Sequence, residues 1–258
     1  MTRAQSARGA ATLLVALAWL GTAPAPSAAQ GANVRVLSSN GVRAVLDELV
    51  PQCERTIGRS VTIEYGTSAS IRQRVSAGEP VDVVFATTEV AGELTSAGHL
   101  AADSRTPLGR SGIGVGIRAG ARHPNIGTRA AIEQTLRAAK SVTYAQDGAS
   151  RVHIERMFEQ LGITAEMKTK TLLEQGSVRA AAKVVAGEAE LLFTLVSEIL
   201  PVEGMELAGP LPAEFQSYVS FAAALGAHTT SRDAARALVD CIAAPAAAAT
   251  FAAKGVQR

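Results

Sequence analysis

Four short stretches carry residues that could hold an anion: SSNG (Ser38–Gly41), GTSAS (Gly66–Ser70), DGAS (Asp147–Ser150) and the pair Gly176, Ser177. Each places glycine or a hydroxyl residue where an apolar helical pattern is about to begin. The first turn of a helix leaves backbone N–H groups without partners, and its aligned peptide dipoles put partial positive charge there. Glycine lets a ligand approach that backbone, and a serine or threonine hydroxyl can donate one more hydrogen bond, so such termini make anion sites. A single junction of this kind is an ordinary N-cap, because Ser, Asn, Asp and Gly are favoured there in any protein. Four of them, two in each half of the chain, point to one shared ligand.

Other chemistry is poorly supported. Ser150 and His153 stand at i and i+3 of a helix start with no orienting acid in view, which is not a catalytic triad. No GxSxG, P-loop or metal motif occurs, and His99, His123, His153 and His228 are scattered without ligand spacing. The expectation is a protein that is not an enzyme, with no catalytic residues, no metal site and no cofactor. SGIGVGIRAG imitates a nucleotide fingerprint, but its glycines at 112, 114 and 116 alternate with Ile113, Val115 and Ile117. They lie inside a strand pattern instead of after it, so the nucleotide reading is rejected. Arg151 is a cation at a helix start, where the dipole disfavours it. Either it reaches into a cleft to pair an anion or it is simply solvated. His153 reads as a surface or packed histidine.

The elements that must position these junctions follow from periodicity. VRVL (Val34–Leu37) reads as a strand, and Val42, Val45, Leu46 and Leu49 mark one face of a helix. VTIEY alternates as a strand, Ile71 and Val75 mark the next helix, and VDVVFAT (Val81–Thr87) suits a strand buried on both faces of a parallel sheet. The second half repeats the theme with SVTYA, a helix on Ile154, Phe158 and Leu161, then a helix after LLEQGS, ELLFTL and YVSFAAAL. Two closing helices follow, with Ser231 expected to N-cap the first and Pro245 in the first turn of the second. Alternation of this kind implies α/β layers with right-handed crossovers. In an open parallel sheet the junctions lie at the carboxyl edge, where ligands bind.

The N-terminus opens with Arg3 and Arg8, an apolar run over Ala10–Leu20 too short to span a bilayer, and small residues before Ala29. That is the layout of a secretory signal peptide over residues 1–29, cut after Ala29. Of 258 residues 229 would remain, and losing Arg3 and Arg8 from the 25 basic residues leaves 23 against 23 acidic. Such a chain has no global field for nucleic acid or an anionic membrane. Cys53 and Cys241 either form a disulfide in an exported chain or remain two buried thiols.

From VRVLSSNGVRAVLDELV through VTIEYGTSASIRQRVSAGEPVDVVFAT, the chain resembles the periplasmic molybdate-binding proteins of ABC importers. The most specific element is the pattern GxPxDVxxxA, here GEPVDVVFAT (Gly78–Thr87), and the resemblance extends over the whole mature chain through AAPAAAATFAAKG. It implies an α/β, two-lobed periplasmic binding protein of type II, each lobe a mainly parallel sheet flanked by helices. Residues 30–108 and the return segment 217–258 would form one lobe and residues 109–216 the other, with crossings near Thr106–Gly109 and Phe215–Tyr218. The implied protein is a periplasmic monomer that delivers a small anionic ligand to an ABC permease.

The resemblance also implies a ligand set. The family's second-junction serine falls on Ser68, beside Thr67, and its first-junction serine falls on Gly41, beside Ser39 and Asn40. Its backbone contacts in the second lobe fall on Ser150, followed by Arg151, and on Val178 after Ser177. Its late-strand tyrosine falls on Leu195, so that phenol is absent. The expected function is a solute-binding protein for a molybdate- or tungstate-like oxyanion. The alternatives are a small organic carboxylate as ligand, or a ligand sensor of the same fold.

Overall fold

The computed structural model describes residues 1, 2 and 33–258. The apolar run of the expected leader and the cut after Ala29 lie outside the described residues.

The first half alternates as its periodicity predicts: β1 (Val34–Ser39), α1 (Arg43–Ile57), β2 (Val61–Gly66), α2 (Ser68–Ser76), β3 (Val83–Thr87) and α3 (Thr88–Ser96). β1 pairs in parallel with both β2 and β3. Every residue of β3 is buried, as a strand with both faces covered requires. β2 is the edge strand: its Val61, Ile63 and Tyr65 turn towards the core while Thr62 and Glu64 stay in water.

The second half runs β4 (Thr106–Arg118), α4 (Arg129–Ala138), β5 (Val142–Ala145), α5 (Arg151–Gln160), α6 (Thr164–Lys170), β6 (Thr171–Glu174), α7 (Ser177–Val185), β7 (Leu191–Leu195), α8 (Val196–Ile199) and β8 (Met205–Pro210). β5 pairs in parallel with β6 and β7. The chain then returns as β9 (Tyr218–Leu225), α9 (Arg232–Ala243), a 3₁₀ turn at Pro245–Ala247, and α10 (Ala248–Ala253).

β4 links the two sheets. It pairs antiparallel with β9 from Thr106 to Gly112, and from Ile113 onward its partner is β7. The strand order is therefore β2-β1-β3-β9-β4-β7-β5-β6, with β8 added on β4. Each lobe is a mainly parallel sheet flanked by helices. The glycines at 114 and 116 lie within β4, where a Cβ would stand 2.9 Å from Leu207 Cδ1 and from Met205 Sδ respectively. Their bare face is packing space for the side chains of β8.

One local expectation changes, and two strands appear that the sequence did not announce. Ser231 occupies the N-cap position of α9 but its side chain makes no capping bond; its own N–H is instead donated to Thr229 Oγ1 at 3.1 Å. β6 has no apolar alternation to read, because Leu172 and Leu173 are both largely exposed on an edge strand. β8 reads MELAGP, and its Gly209 and Pro210 are residues that ordinarily break strands. Cys53 in α1 and Cys241 in α9 are joined by a disulfide, their Cα atoms 5.9 Å apart.

Candidate functional site

The parallel pairings put the carboxyl ends of β1, β2 and β3 on one side of the cleft and those of β5, β6 and β7 on the other. Each is followed at once by a turn or helix, so the junction residues converge for a topological reason.

At the end of β1, Ser39 Oγ accepts the Gly41 N–H at 3.3 Å and caps the 3₁₀ turn Asn40–Val42. Gly41 itself is sealed. A Cβ there would stand 2.3 Å from Phe221 Cζ and 3.2 Å from Leu195 Cδ1. The ring of Phe221, from β9, and the side chain of Leu195, from β7, fill the space in which a serine at position 41 would present its hydroxyl.

At the end of β2, Thr67 caps α2 by accepting the Ser70 N–H at 3.1 Å, and its hydroxyl donates to Asp147 Oδ2 at 2.9 Å. Ser68 is buried, and its Oγ accepts the Thr87 N–H at 3.0 Å. Because that lone pair is taken by a fixed backbone donor, the Ser68 proton is free for an acceptor in the cavity.

On the opposite side, Asp147 Oδ1 accepts the Gly176 N–H at 2.9 Å. Gly176 adopts φ +78, a conformation that side chains disfavour. Ser150 is buried and uses its side chain in no capping bond. Ser177 Oγ donates to Glu198 Oε1 at 2.9 Å, and Thr194 Oγ1 is in contact with Glu198 Oε2.

These groups enclose a small cavity. Its polar wall is made by Ser39, Thr67, Ser68, Ser150, Ser177 and Thr194. Its apolar wall is made by Ala145, Ala149, Leu195 and Phe221, and Glu198 supplies a carboxyl. About 20 Å³ is open to the centre of a water-sized sphere. Treated as a sphere and widened by the water radius of about 1.4 Å, that admits a group of roughly 3 Å radius. One carboxylate or a compact oxyanion has that size.

The expected ligand residues divide between two settings. Ser39, Thr67, Ser68 and Ser150 line the cavity, whereas Asn40, Gly41, Arg151 and Val178 are not among its lining residues. Arg151 turns back along its own helix: its Nε donates to Glu155 Oε1 and one Nη to the Gln146 carbonyl, each at 2.8 Å. The side chain of Val178 is exposed. His153 Nδ1 is buried with no hydrogen-bond partner among the described residues, and burial, with the Arg156 charge second, lowers the imidazole pKa.

Glu198 and Thr194 had no place in the expected site. Glu198 is half-buried and lines the cavity. Burial raises its pKa above the ordinary carboxyl value, the hydroxyls of Thr194 and Ser177 and a hydrogen bond with the Leu195 backbone oppose the rise, and the nearby Asp147 charge adds to it. One sequence signal was available. Thr194 and Glu198 stand at i and i+4 where a fully buried strand ends, which places an acid on the carboxyl edge.

Fold and site together define a two-lobed solute-binding protein whose cavity lies between the carboxyl edges of two sheets. The chain belongs to the bacterial extracellular solute-binding protein family, whose profile matches residues 34–257. A Pseudomonas sp. protein named aconitate isomerase is 31% identical over 243 residues, covering 92% of each chain. Among solved structures, the Azotobacter vinelandii periplasmic molybdate-binding protein superposes with a TM-score of 0.75 at 18% identity, covering 88% of this chain and 99% of its own. PEB3 of Campylobacter jejuni, in a structure described as bound to L-phospholactate, superposes with a TM-score of 0.68 at 12% identity, covering 88% of this chain and 100% of its own. At such identities the structural likeness establishes the fold, and the ligand must be argued from the cavity.

Proposed function

We propose that this chain is a periplasmic solute-binding protein that closes two lobes, residues 30–108 with 217–258 and residues 109–216, over a small organic carboxylate. It would deliver that ligand to an ABC permease. The observation that carries the reading is the mixed character of the cavity. An inorganic oxyanion is best held by donors on every side, but here Phe221 and Leu195 cover Gly41, and Ser177 and Thr194 are engaged with Glu198. A carboxylate bound to Ser68, with Ser39 and Ser150 beside it, would leave its carbon side against the apolar wall. Hydrogen bonds to a charged group contribute about 1.5–3 kcal/mol each. Three or four of them can support micromolar affinity, about −8 kcal/mol, after the entropic cost of association. The name of the Pseudomonas relative supports an organic acid, and the PEB3 structure associates an organic anion with the same fold.

Thermal-shift and calorimetric screening of the mature chain tests the proposal, with succinate, citrate, cis- and trans-aconitate, molybdate, tungstate, sulfate and phosphate. Carboxylates alone should bind. Binding of molybdate and tungstate alone would refute the carboxylate reading and restore the oxyanion.

A second reading is that the bound acid is also isomerised. The relative's name and the buried acid at the cavity wall favour it. Incubating the protein with cis-aconitate and following the trans isomer by proton NMR decides the matter.

A further inference from the structure

We infer that Glu198 meets the bound ligand as a neutral carboxyl and donates a hydrogen bond to it, which makes Glu198 a specificity-determining residue of the cavity. The inference rests on the carboxylate reading and adds a proton to it.

The geometry leads there in three steps. First, among the described residues that line the cavity there is no lysine or arginine, and Arg151 is held by Glu155 and Gln146. An ionised Glu198 would therefore face a bound anion with no cation between them, and two like charges in one small cavity cannot both persist without a proton between them. Second, the groups around Glu198 are predominantly neutral. α7 presents Ser177 and β7 presents Thr194 and the Leu195 backbone, while the turn after β5 brings the charge of Asp147. That charge is negative, and it opposes ionisation of Glu198. Third, the hydroxyls of Ser177 and Thr194 donate to separate oxygens of Glu198, and those oxygens can still accept when the carboxyl is protonated, which leaves its proton for the ligand. The two hydroxyls accommodate a carboxylic acid as well as a carboxylate, so the protonated form leaves no hydroxyl unpaired.

A neutral carboxyl facing a carboxylate supplies a short, charge-assisted O–H···O⁻ bond. A fully ionised inorganic oxyanion could use the same donor but would have to fit against Phe221 and Leu195. Glu198 thus completes the polar wall for an acid whose remaining surface is apolar. The sign of the pH effect follows. Above the Glu198 pKa, binding must take up one proton, so affinity falls about tenfold for each further pH unit.

The test is titration calorimetry with trans-aconitate, citrate and succinate between pH 6.5 and 9, in two buffers of different ionisation enthalpy, on wild type and Glu198→Gln. The amide keeps a donor but cannot titrate, so the variant also reports the ligand's own titration. Wild type is expected to lose affinity as pH rises and to take up a proton on binding, while Glu198→Gln stays flat. In parallel, carboxyl-¹³C-glutamate NMR of the ligand-free chain should show one signal, absent from Glu198→Gln, that titrates at higher pH than the other glutamates. Absence of proton uptake, with no fall in affinity, at pH values where the NMR signal shows Glu198 ionised in the ligand-free chain overturns the inference while the carboxylate reading stands. If none of these acids binds either protein at any pH, the carboxylate reading falls and the inference falls with it.

Discussion

Thr67 Oγ1 donates a 2.9 Å hydrogen bond to Asp147 Oδ2, and the other oxygen of Asp147 accepts the Gly176 N–H at the same distance. One carboxylate thus ties the β2–α2 junction to the turn after β5 and to the start of α7, on both sides of the cleft. The bond lies at an exposed rim, where water competes, so its contribution is modest. Replacing Thr67 by valine is expected to weaken ligand affinity about three- to tenfold, in line with about 0.5–1.5 kcal/mol for one hydrogen bond. The loss should appear mainly as faster release in stopped-flow measurements. An unchanged release rate would remove this bond from the closed state's stabilisation.

Ser68 has two partners to satisfy. Alanine there deletes the hydroxyl offered to the ligand and strands the buried Thr87 N–H that Ser68 Oγ now accepts. A buried donor left unpaired costs about 1–3 kcal/mol. Ser68→Ala should therefore lower both Tm and affinity. Loss of stability with unaltered affinity would make Ser68 a structural residue alone.

Gly41 is predicted to be intolerant for a reason that a single variant can expose. A side chain at 41 collides with the Phe221 ring, which is buried. Gly41→Ser should cost about 1–3 kcal/mol by overpacking. In the double variant Gly41→Ser, Phe221→Leu the two costs should fall well short of additive, because the smaller side chain vacates the space the serine needs. Thermal melts of the single and double variants measure the coupling, and additive losses would show that the collision is relieved elsewhere.

The disulfide between Cys53 and Cys241 closes a loop with a sequence separation of 188. By the chain-entropy account, a loop this long contributes about 5 kcal/mol. Cys53→Ser with Cys241→Ser should lower Tm by roughly 10 °C or more, at about 2–4 °C per kcal/mol for a chain of this length. Ligand affinity should be retained, since neither cysteine lines the cavity. A drop in affinity equal to the drop in stability would contradict that separation.

Stability should also depend on pH through Glu198. The folded state holds its proton above the ordinary value of 4.5, so the unfolded chain binds fewer protons across the window between that value and the raised one. Stability contributed by this group is full below pH 4.5 and is lost as pH rises through the folded pKa. The difference in Tm between Glu198→Gln and wild type should therefore grow in the variant's favour from acid to neutral pH. Parallel curves would mean that Glu198 is ionised in the folded protein.

The fold was largely legible because its signals are local. The buried run of β3, the helical faces of α1 and α5, and the small-residue junctions at Ser39, Thr67 and Ser150 are each set by neighbours along the chain. β6 and β8 were not legible, since their pairing is decided by β5 and β4 and leaves little hydrophobic alternation in their own residues. Arg151 was ambiguous for the same reason. Its helix position was readable, but its choice of Glu155 and the Gln146 carbonyl depends on rotamers and space.

The amino-acid sequence by itself determined that junctions rich in hydroxyls and glycine end the parallel strands, because strand and helix periods and capping preferences act over a few residues. Only the tertiary structure decided what those junctions enclose. Phe221 lies 180 positions from Gly41 along the chain, and no local preference says that its ring closes over that glycine. Glu198 becomes a cavity acid only when Ser177, Thr194 and Asp147 surround it. Packing distances and the cost of burying charge are properties of the assembled molecule, and they separate one anion from another in a shared fold.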